Sequence, residues 1–326
     1  KLDTTIIQGL HPIPILRDVL ESSRARQCGI PSIMTDAGRV LDVAEAARAI
    51  ITCLDFRSLD KLLLVLQLDE SGRTYLQDNE LWNELIELHF RGRLPSELAH
   101  LGLPQKPRIW RWTDNAVACS ALQEFLRVGD ERDHFMKTVS VVRGDIGKIK
   151  EIQGTPVDAL AFPTNAYLSN HFVGAAGAIY SRAGRELNNY ISQEEYRVRR
   201  SVGEAVPTPA FDAGVKRLIH CVGPRFSQPN CFERLAVTYE NVMHTALAED
   251  LNCVAVASIS TGAMGVPPKE GAQFALRQIQ KFVRANHWNG KVAIVCIEDH
   301  VLQAFESRYA EILANFNVPA FPEISF

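Results

Sequence analysis

The sequence predicts an α/β protein: a three-layer α/β/α domain on a mixed, mostly parallel sheet, preceded by an all-α region. Three observations carry this. Residues 1–136 repeat apolar side chains at three- and four-residue spacing, the helical period. From residue 137 to 326, short β-rich runs alternate with helical patterns. The middle runs of that series are apolar throughout rather than alternating, as strands covered on both faces by helices must be.

In chain order, VAEAARAIITCL (43–54), SLDKLLLVLQL (58–68), NELWNELIELHF (79–90) and ACSALQEFLRV (118–128) read as helices. Residues 91–112, with three prolines, read as an irregular connector. VGDERDHFMK (128–137) is polar and charged and is read as the link between domains. Strands follow at TVSVVRGD (138–145), DALAFPTN (158–165), RLIHCVG (217–223), NCVAVASIS (252–260) and KVAIVCIED (291–299). Helices are expected between and after them at 175–191, 232–251, 268–286 and 300–313.

Composition narrows the function. A net charge of −3 argues against non-specific nucleic-acid binding, which needs clustered Lys and Arg. No apolar run reaches the length of a transmembrane helix, and the first residues lack the basic start and apolar core of a signal peptide. Cysteines 28, 53, 119, 221, 231, 253 and 296 are scattered, with no zinc spacing. They read as reduced thiols of a cytoplasmic or nuclear protein, with no metal and no cofactor.

Two strand-to-helix loops are poor in bulk: VGAAGAI (173–179) and STGAMG (260–265). Ligands of open α/β sheets sit at the carboxyl ends of the strands. Small residues let the backbone approach a ligand and offer it N–H groups, and a helix N-terminus attracts an anion. Neither loop is a P-loop or a dinucleotide fingerprint. Together they suit the two phosphates of a nucleotide diphosphate.

RGDI (143–146), DALAFPTN (158–165), GAAGAIYSRAG (174–184), the stretch 202–224 ending in IHCVGP, LAVTYENVMHTALAED (235–250) and ISTGAMGVP (259–267) occur in one order over nearly 190 residues. In them the second half resembles a macrodomain, the ADP-ribose-binding module. The resemblance implies that Asp145 accepts a hydrogen bond from the adenine amino group and that Ile146 faces the base. It makes Gly174, Ala175, Ala176, Gly177, Ala178 and Ile179 the first phosphate loop. Ser260, Thr261, Gly262, Ala263, Met264 and Gly265 become the second. Asn165 then contacts the distal ribose, and Ile297 lies where the family often packs an aromatic on adenine. Each has a plainer alternative: Asp and Asn commonly cap loops, and Ile146 is also a core residue.

The chain departs from the hydrolytic macrodomains of the MacroD-like class. Those carry NAAN followed by GGGVDGAI, where this chain has FPTN and VGAAGAI. Phe162 replaces the first Asn, and Ala176 stands where an Asp would help to activate water or orient the ribose. No Asp or Glu occurs between Asn165 and Arg185. Asn165 and His171 are the remaining catalytic candidates. Met264 replaces an aromatic of the second loop.

In the first half, residues of about 40–91 resemble an F-box: Glu45, Ile50, Leu54, Asp55, Leu59, Leu81 and Trp82 fall in register. The opening Leu-Pro and the Pro after Leu54-Asp55 are missing. The alternative is a helical extension with Leu81 and Trp82 in its core. Three functions follow. The leading one binds ADP-ribose or an ADP-ribosylated protein and adapts it, through a Skp-type adaptor, to a ubiquitin ligase. The second is an ADP-ribosyl hydrolase or O-acetyl-ADP-ribose deacetylase with a non-standard site. The third is a macrodomain whose cleft no longer binds.

Overall fold

The computed structural model describes residues 44–55, 58, 59, 62, 63, 66, 70–92, 118–169 and 172–318. They fall in two compact units, one within residues 1–131 and 314–318, the other within 132–313.

The first unit is helical in its described residues: α1 (Ala44–Cys53), α2 (Glu70–Leu76), α3 (Asn79–Phe90) and the start of α4 (Ser120–Thr138). Helix α3 begins where Asp78 accepts the N–H groups of Glu80 and Leu81, both at 3.0 Å. It ends at Arg91 in the left-handed region, φ 57°, whose N–H closes on the Glu87 carbonyl. Its apolar face buries Leu81, Trp82, Leu85, Ile86 and Phe90. The Trp82 indole donates to the Tyr75 carbonyl at 2.7 Å and packs on the Phe125 ring. Asp55 accepts the Ser58 N–H at 2.8 Å and so starts the next helical stretch. Ile50, Leu54, Leu59, Leu81 and Trp82 are all buried, so the apolar positions behind the F-box resemblance are consumed within this unit. The Glu45 side chain and the connector from 93 to 112 lie outside the described residues.

The charged segment 128–137 contains the division between the two units, but it is helix rather than loop. It is the second half of α4, which runs unbroken to Thr138. Its acids and bases lie on partly exposed positions of the helix while Val128, Phe135 and Thr138 are buried. The charge run is therefore a partly exposed stretch of helix. The division between the units falls at 131/132.

The second unit is built on a six-stranded sheet, ordered β1 (Val139–Arg143), β8 (Lys291–Cys296), β7 (Cys253–Ala257), β4 (Ala159–Pro163), β6 (Arg217–Cys221), β5 (Ala205–Pro209). All neighbours are parallel except β5 with β6. A two-stranded hairpin, β2 (Glu151–Ile152) with β3 (Thr155–Pro156), stands apart. The five strands expected from sequence are present. Strand β5 was not expected, because Pro207 and Pro209 interrupt its pattern. An edge strand tolerates prolines, since one of its sides needs no donors.

Helices α5 (Gly174–Ala183) and α6 (Arg185–Ile191) cover one face, where Leu160, Phe162, Leu218, Ala255, Ala293 and Val295 join Ile179, Tyr180, Ala183 and Leu187 in one core. The single helix expected over 175–191 is broken at Gly184, whose φ of 83° favours glycine. A Cβ there would meet the Asp212 carboxylate at 2.5 Å. Helices α7 (Cys231–Ala248) and α8 (Pro268–Asn286) pack against each other, α7 also against β5 and β6; α9 (Asp299–Ala314) completes the unit. No helix among the described residues is long and apolar enough to cross a membrane.

His220 lies fully buried on β6, with the Phe162 ring 4.7 Å from its own and Nε2 3.1 Å from the Thr208 hydroxyl. Its Nδ1 has no partner among the described residues. Burial pushes its pKa from 6.5 down to about 3. The unfolded chain therefore takes up the proton first as pH falls. Stability is full above pH 6.5 and is lost below it, by about 2 kcal/mol at pH 5. Urea melts at pH 7 and pH 5 check this: His220→Gln should flatten the change across that interval. An equal slope in the variant would assign the acid loss elsewhere.

Candidate functional site

The carboxyl ends of β1, β4, β7 and β8, with the turn after β6, open into one cleft of about 410 Å³. Asp145 and Ile146 line it after β1, Thr164 and Asn165 after β4, Gly223 after β6, Ser258 and Ser260 after β7, and Ile297 and Glu298 after β8. This is where an open α/β sheet places its ligand.

The first loop turns into α5 without a side-chain cap. Val173 holds the N-cap position in extended conformation and has no side-chain acceptor. The N–H groups of Gly174, Ala175 and Ala176 open the helix and have no partner among the described residues. Gly177 is required by packing: a Cβ would stand 2.9 Å from the Phe172 carbonyl carbon. Ten residues of helix then direct the positive end of their dipole at the cleft.

The second loop is drawn together by its own backbone. The Gly265 N–H donates to the Gly262 carbonyl at 2.9 Å and the Val266 N–H to the Ser260 carbonyl at 3.0 Å. That closure leaves the N–H groups of Ser260, Thr261, Gly262, Ala263 and Met264 unpaired among the described residues. Consecutive free N–H groups in a tight turn form an anion-binding concavity. Ser260 has φ 65°, a left-handed conformation that costs a non-glycine residue about 1–3 kcal/mol. Gly223 makes room for it, since a Cβ at 223 would meet the Ser260 Oγ at 2.4 Å and the Ile259 side chain at 2.6 Å.

The structure sorts the expected site residues. Asp145, Ile146, Asn165, Gly174, Ala175, Ala178, Ser260, Gly262, Ala263, Met264 and Ile297 line the cleft together. Ala176 and Ile179 do not: they are buried in the core beneath α5. Helical spacing turns those two side chains inward while Gly174, Ala175 and Ala178 face out. Gly177 packs on Phe172, and Gly265 serves the turn. Thr261 is buried, its hydroxyl donating to the Ser258 carbonyl at 3.3 Å. His171 lies outside the described residues.

Two polar side chains are already engaged. The Asn165 Oδ1 accepts the N–H groups of Tyr167 at 3.1 Å and Ser169 at 2.9 Å, folding the loop onto itself. The Asp145 Oδ1 accepts the Gly147 N–H at 2.8 Å, and its other oxygen is 3.5 Å from the Lys148 ammonium. One Asn165 donor and the outer Asp145 oxygen remain for a ligand. Phe162 is fully buried against Tyr180 and His220, so this departure in the FPTN motif is a core substitution, not a change in the cleft lining.

Sequence reasoning missed Thr164, Gly223, Ser258 and Glu298 in the lining. Gly223 had a signal, its place in IHCVGP; Thr164 and Glu298 had only their position one and two steps past a strand. Asp145 and Glu298 are the carboxylates lining the cleft, and both belong to the β1–β8 side. No carboxylate lines the Asn165 side among the described residues. The hydroxyls of Thr164 and Ser260 are buried there and have no partner among the described residues.

The Macro domain family model matches residues 163–275. An uncharacterized protein of Fusobacterium nucleatum is 31% identical over 182 residues, 55% of this chain and 98% of that protein. A Salmonella newport protein named O-acetyl-ADP-ribose deacetylase is 30% identical over 172 residues, 51% of this chain and 91% of its own length. Among solved structures, the Oceanobacillus iheyensis macrodomain with ADP is 26% identical, covering 54% of this chain and 93% of that one, with a TM-score of 0.49.

Proposed function

The chain belongs to the Macro domain family, and on that premise we propose that its cleft binds ADP-ribose, free or attached to a protein. One observation carries the reading. Two sets of unpaired backbone N–H groups, at 174–176 and 260–264, border the same cleft, and no cationic side chain lines it among the described residues. Such groups hold a diphosphate by hydrogen bonds and dipole. Asp145 and Ile297 provide an acceptor and an apolar contact for a base at the β1–β8 side.

Binding without turnover is the preferred form of this reading. A positioned acid or base contributes about 10²–10⁴ in rate, and the Asn165 side lacks a carboxylate among the described residues. The second reading is a deacetylase of O-acetyl-ADP-ribose, favoured by the name of the Salmonella newport relative. Calorimetric titration with ADP-ribose tests binding. Incubating the same sample with a mono-ADP-ribosylated protein and with O-acetyl-ADP-ribose tests turnover. Binding with neither product released is the expected outcome; release of acetate would establish the second reading, and no heat of binding would remove both.

Asp145→Ala should weaken ADP-ribose by about 1–2 kcal/mol, the cost of a lost hydrogen-bond partner. The same titration checks it, and unchanged affinity would remove Asp145 from the site. For the helical unit we propose the adaptor role, resting on the F-box register. Because its apolar positions are buried, a Skp-type adaptor would engage the unit through other side chains. A pull-down with such an adaptor, with and without residues 1–131, tests that role. The free thiols among the described cysteines support placement in the cytoplasm or nucleus.

A further inference from the structure

Tyr239 lies on α7, outside the cleft and almost wholly buried. Its hydroxyl accepts the Ile259 N–H at 2.9 Å. Ile259 is itself fully buried, so water cannot take over that donor. Ile259 is the last residue before the strained Ser260 and the run of free N–H groups. The remaining ties of the second loop are to itself or to the Phe226 N–H, which reaches the Met264 carbonyl. Among the described residues Tyr239 is the one side chain from outside the loop hydrogen-bonded to it.

We propose that Tyr239 is a positioning residue for the second loop: its hydroxyl fixes Ile259, and through it the direction of the N–H groups of 260–264. It touches no ligand. Its effect falls on the phosphates of a ligand rather than on the base. This inference rests on the ADP-ribose reading and adds to it a residue that the cleft lining does not include. Burial raises the Tyr239 pKa far above the ordinary tyrosine value, so the hydroxyl keeps its proton and the same acceptor geometry across the working pH range. Directional control matters here because a hydrogen bond weakens steeply once it bends. A few ångströms of drift at the start of the loop would spoil several bonds to the diphosphate together.

Y239F removes only the hydroxyl. Y309F is its control, because Tyr309 spends its hydroxyl on the Val139 carbonyl at 3.1 Å, at the opposite end of the sheet. Each protein is titrated with ADP-ribose by calorimetry and with adenosine by NMR. Y239F should weaken ADP-ribose about tenfold, roughly 1.4 kcal/mol. Adenosine should change less than about twofold, and Y309F should change neither. Equal losses for both ligands, or none for ADP-ribose, would overturn the proposal. Failure of the unaltered protein to bind ADP-ribose would instead sink the functional reading, and is seen before any variant is made. Should Y239F not fold, amide exchange on the unaltered protein decides. The Ile259 amide must be protected while those of 260–264 exchange quickly and slow on adding ADP-ribose. An Ile259 amide as fast as its neighbours would overturn the assignment.

Discussion

Gly262→Glu is expected to abolish ADP-ribose binding and to leave the melting temperature where it is. A Cβ at Gly262 meets no atom within 4 Å, so the backbone accepts a side chain there. The carboxylate, however, enters a concavity of five unpaired N–H groups. It satisfies them intramolecularly and repels the phosphates that would take its place. Like charges at such separation cost on the order of several kcal/mol where water is partly excluded. Gly262→Gln separates the two causes, since it brings the same bulk without the charge. Calorimetry should show the glutamine variant weakened and the glutamate variant silent. An affinity within about threefold of the unaltered protein for Gly262→Glu would mean that this loop does not hold phosphate.

Gly223→Ala should fail differently, by losing stability and affinity together. The added methyl would stand 2.4 Å from the Ser260 Oγ and 2.6 Å from the Ile259 side chain. The hydroxyl can rotate, but Ile259 is fully buried and has nowhere to go. Overpacking of this kind costs about 1–3 kcal/mol. The relief available is a displacement of the 259–261 backbone, which carries the N–H groups with it. Urea unfolding and ADP-ribose titration on one preparation check both losses. A variant with unchanged affinity would show that the second loop tolerates displacement, and would count against the geometric reading of the cleft.

Much of this architecture was legible in the residues. Runs such as VAVA (254–257) and VAIVC (292–296) are apolar at every position because both faces of β7 and β8 are covered. The two loops announced themselves by lack of bulk, a property of composition. What composition does not carry is direction. Ala175 and Ala176 are alike in sequence, yet one lines the cleft and the other lies in the core. The Asn165 and Asp145 side chains read equally well as ligand contacts or loop caps, and the structure shows a large part of both spent on caps. The charges of 128–137 concealed a helix because a solvated helix face and a linker have similar composition. Strand β5 was hidden by its prolines, and the break at Gly184 by a dihedral angle that no periodicity records.

The order of the sheet also bears on how the protein is made. Strand β8, close to the end of the second unit, is inserted between β1 and β7, with Val139 paired to Val292 and Val254 also paired to Val292. A ribosome delivers β1 long before its partner. Until β8 emerges, β1 has no neighbour in the sheet and β7 keeps one open edge among the described residues, both ready to pair with another chain. Completion of the sheet, and with it the β1–β8 side of the cleft, must wait until β8 has been made. The long sequence separation makes that closing step slow as well as late. A chain stopped between β7 and β8 would leave those edges unpaired, and is expected to aggregate more readily than the completed unit.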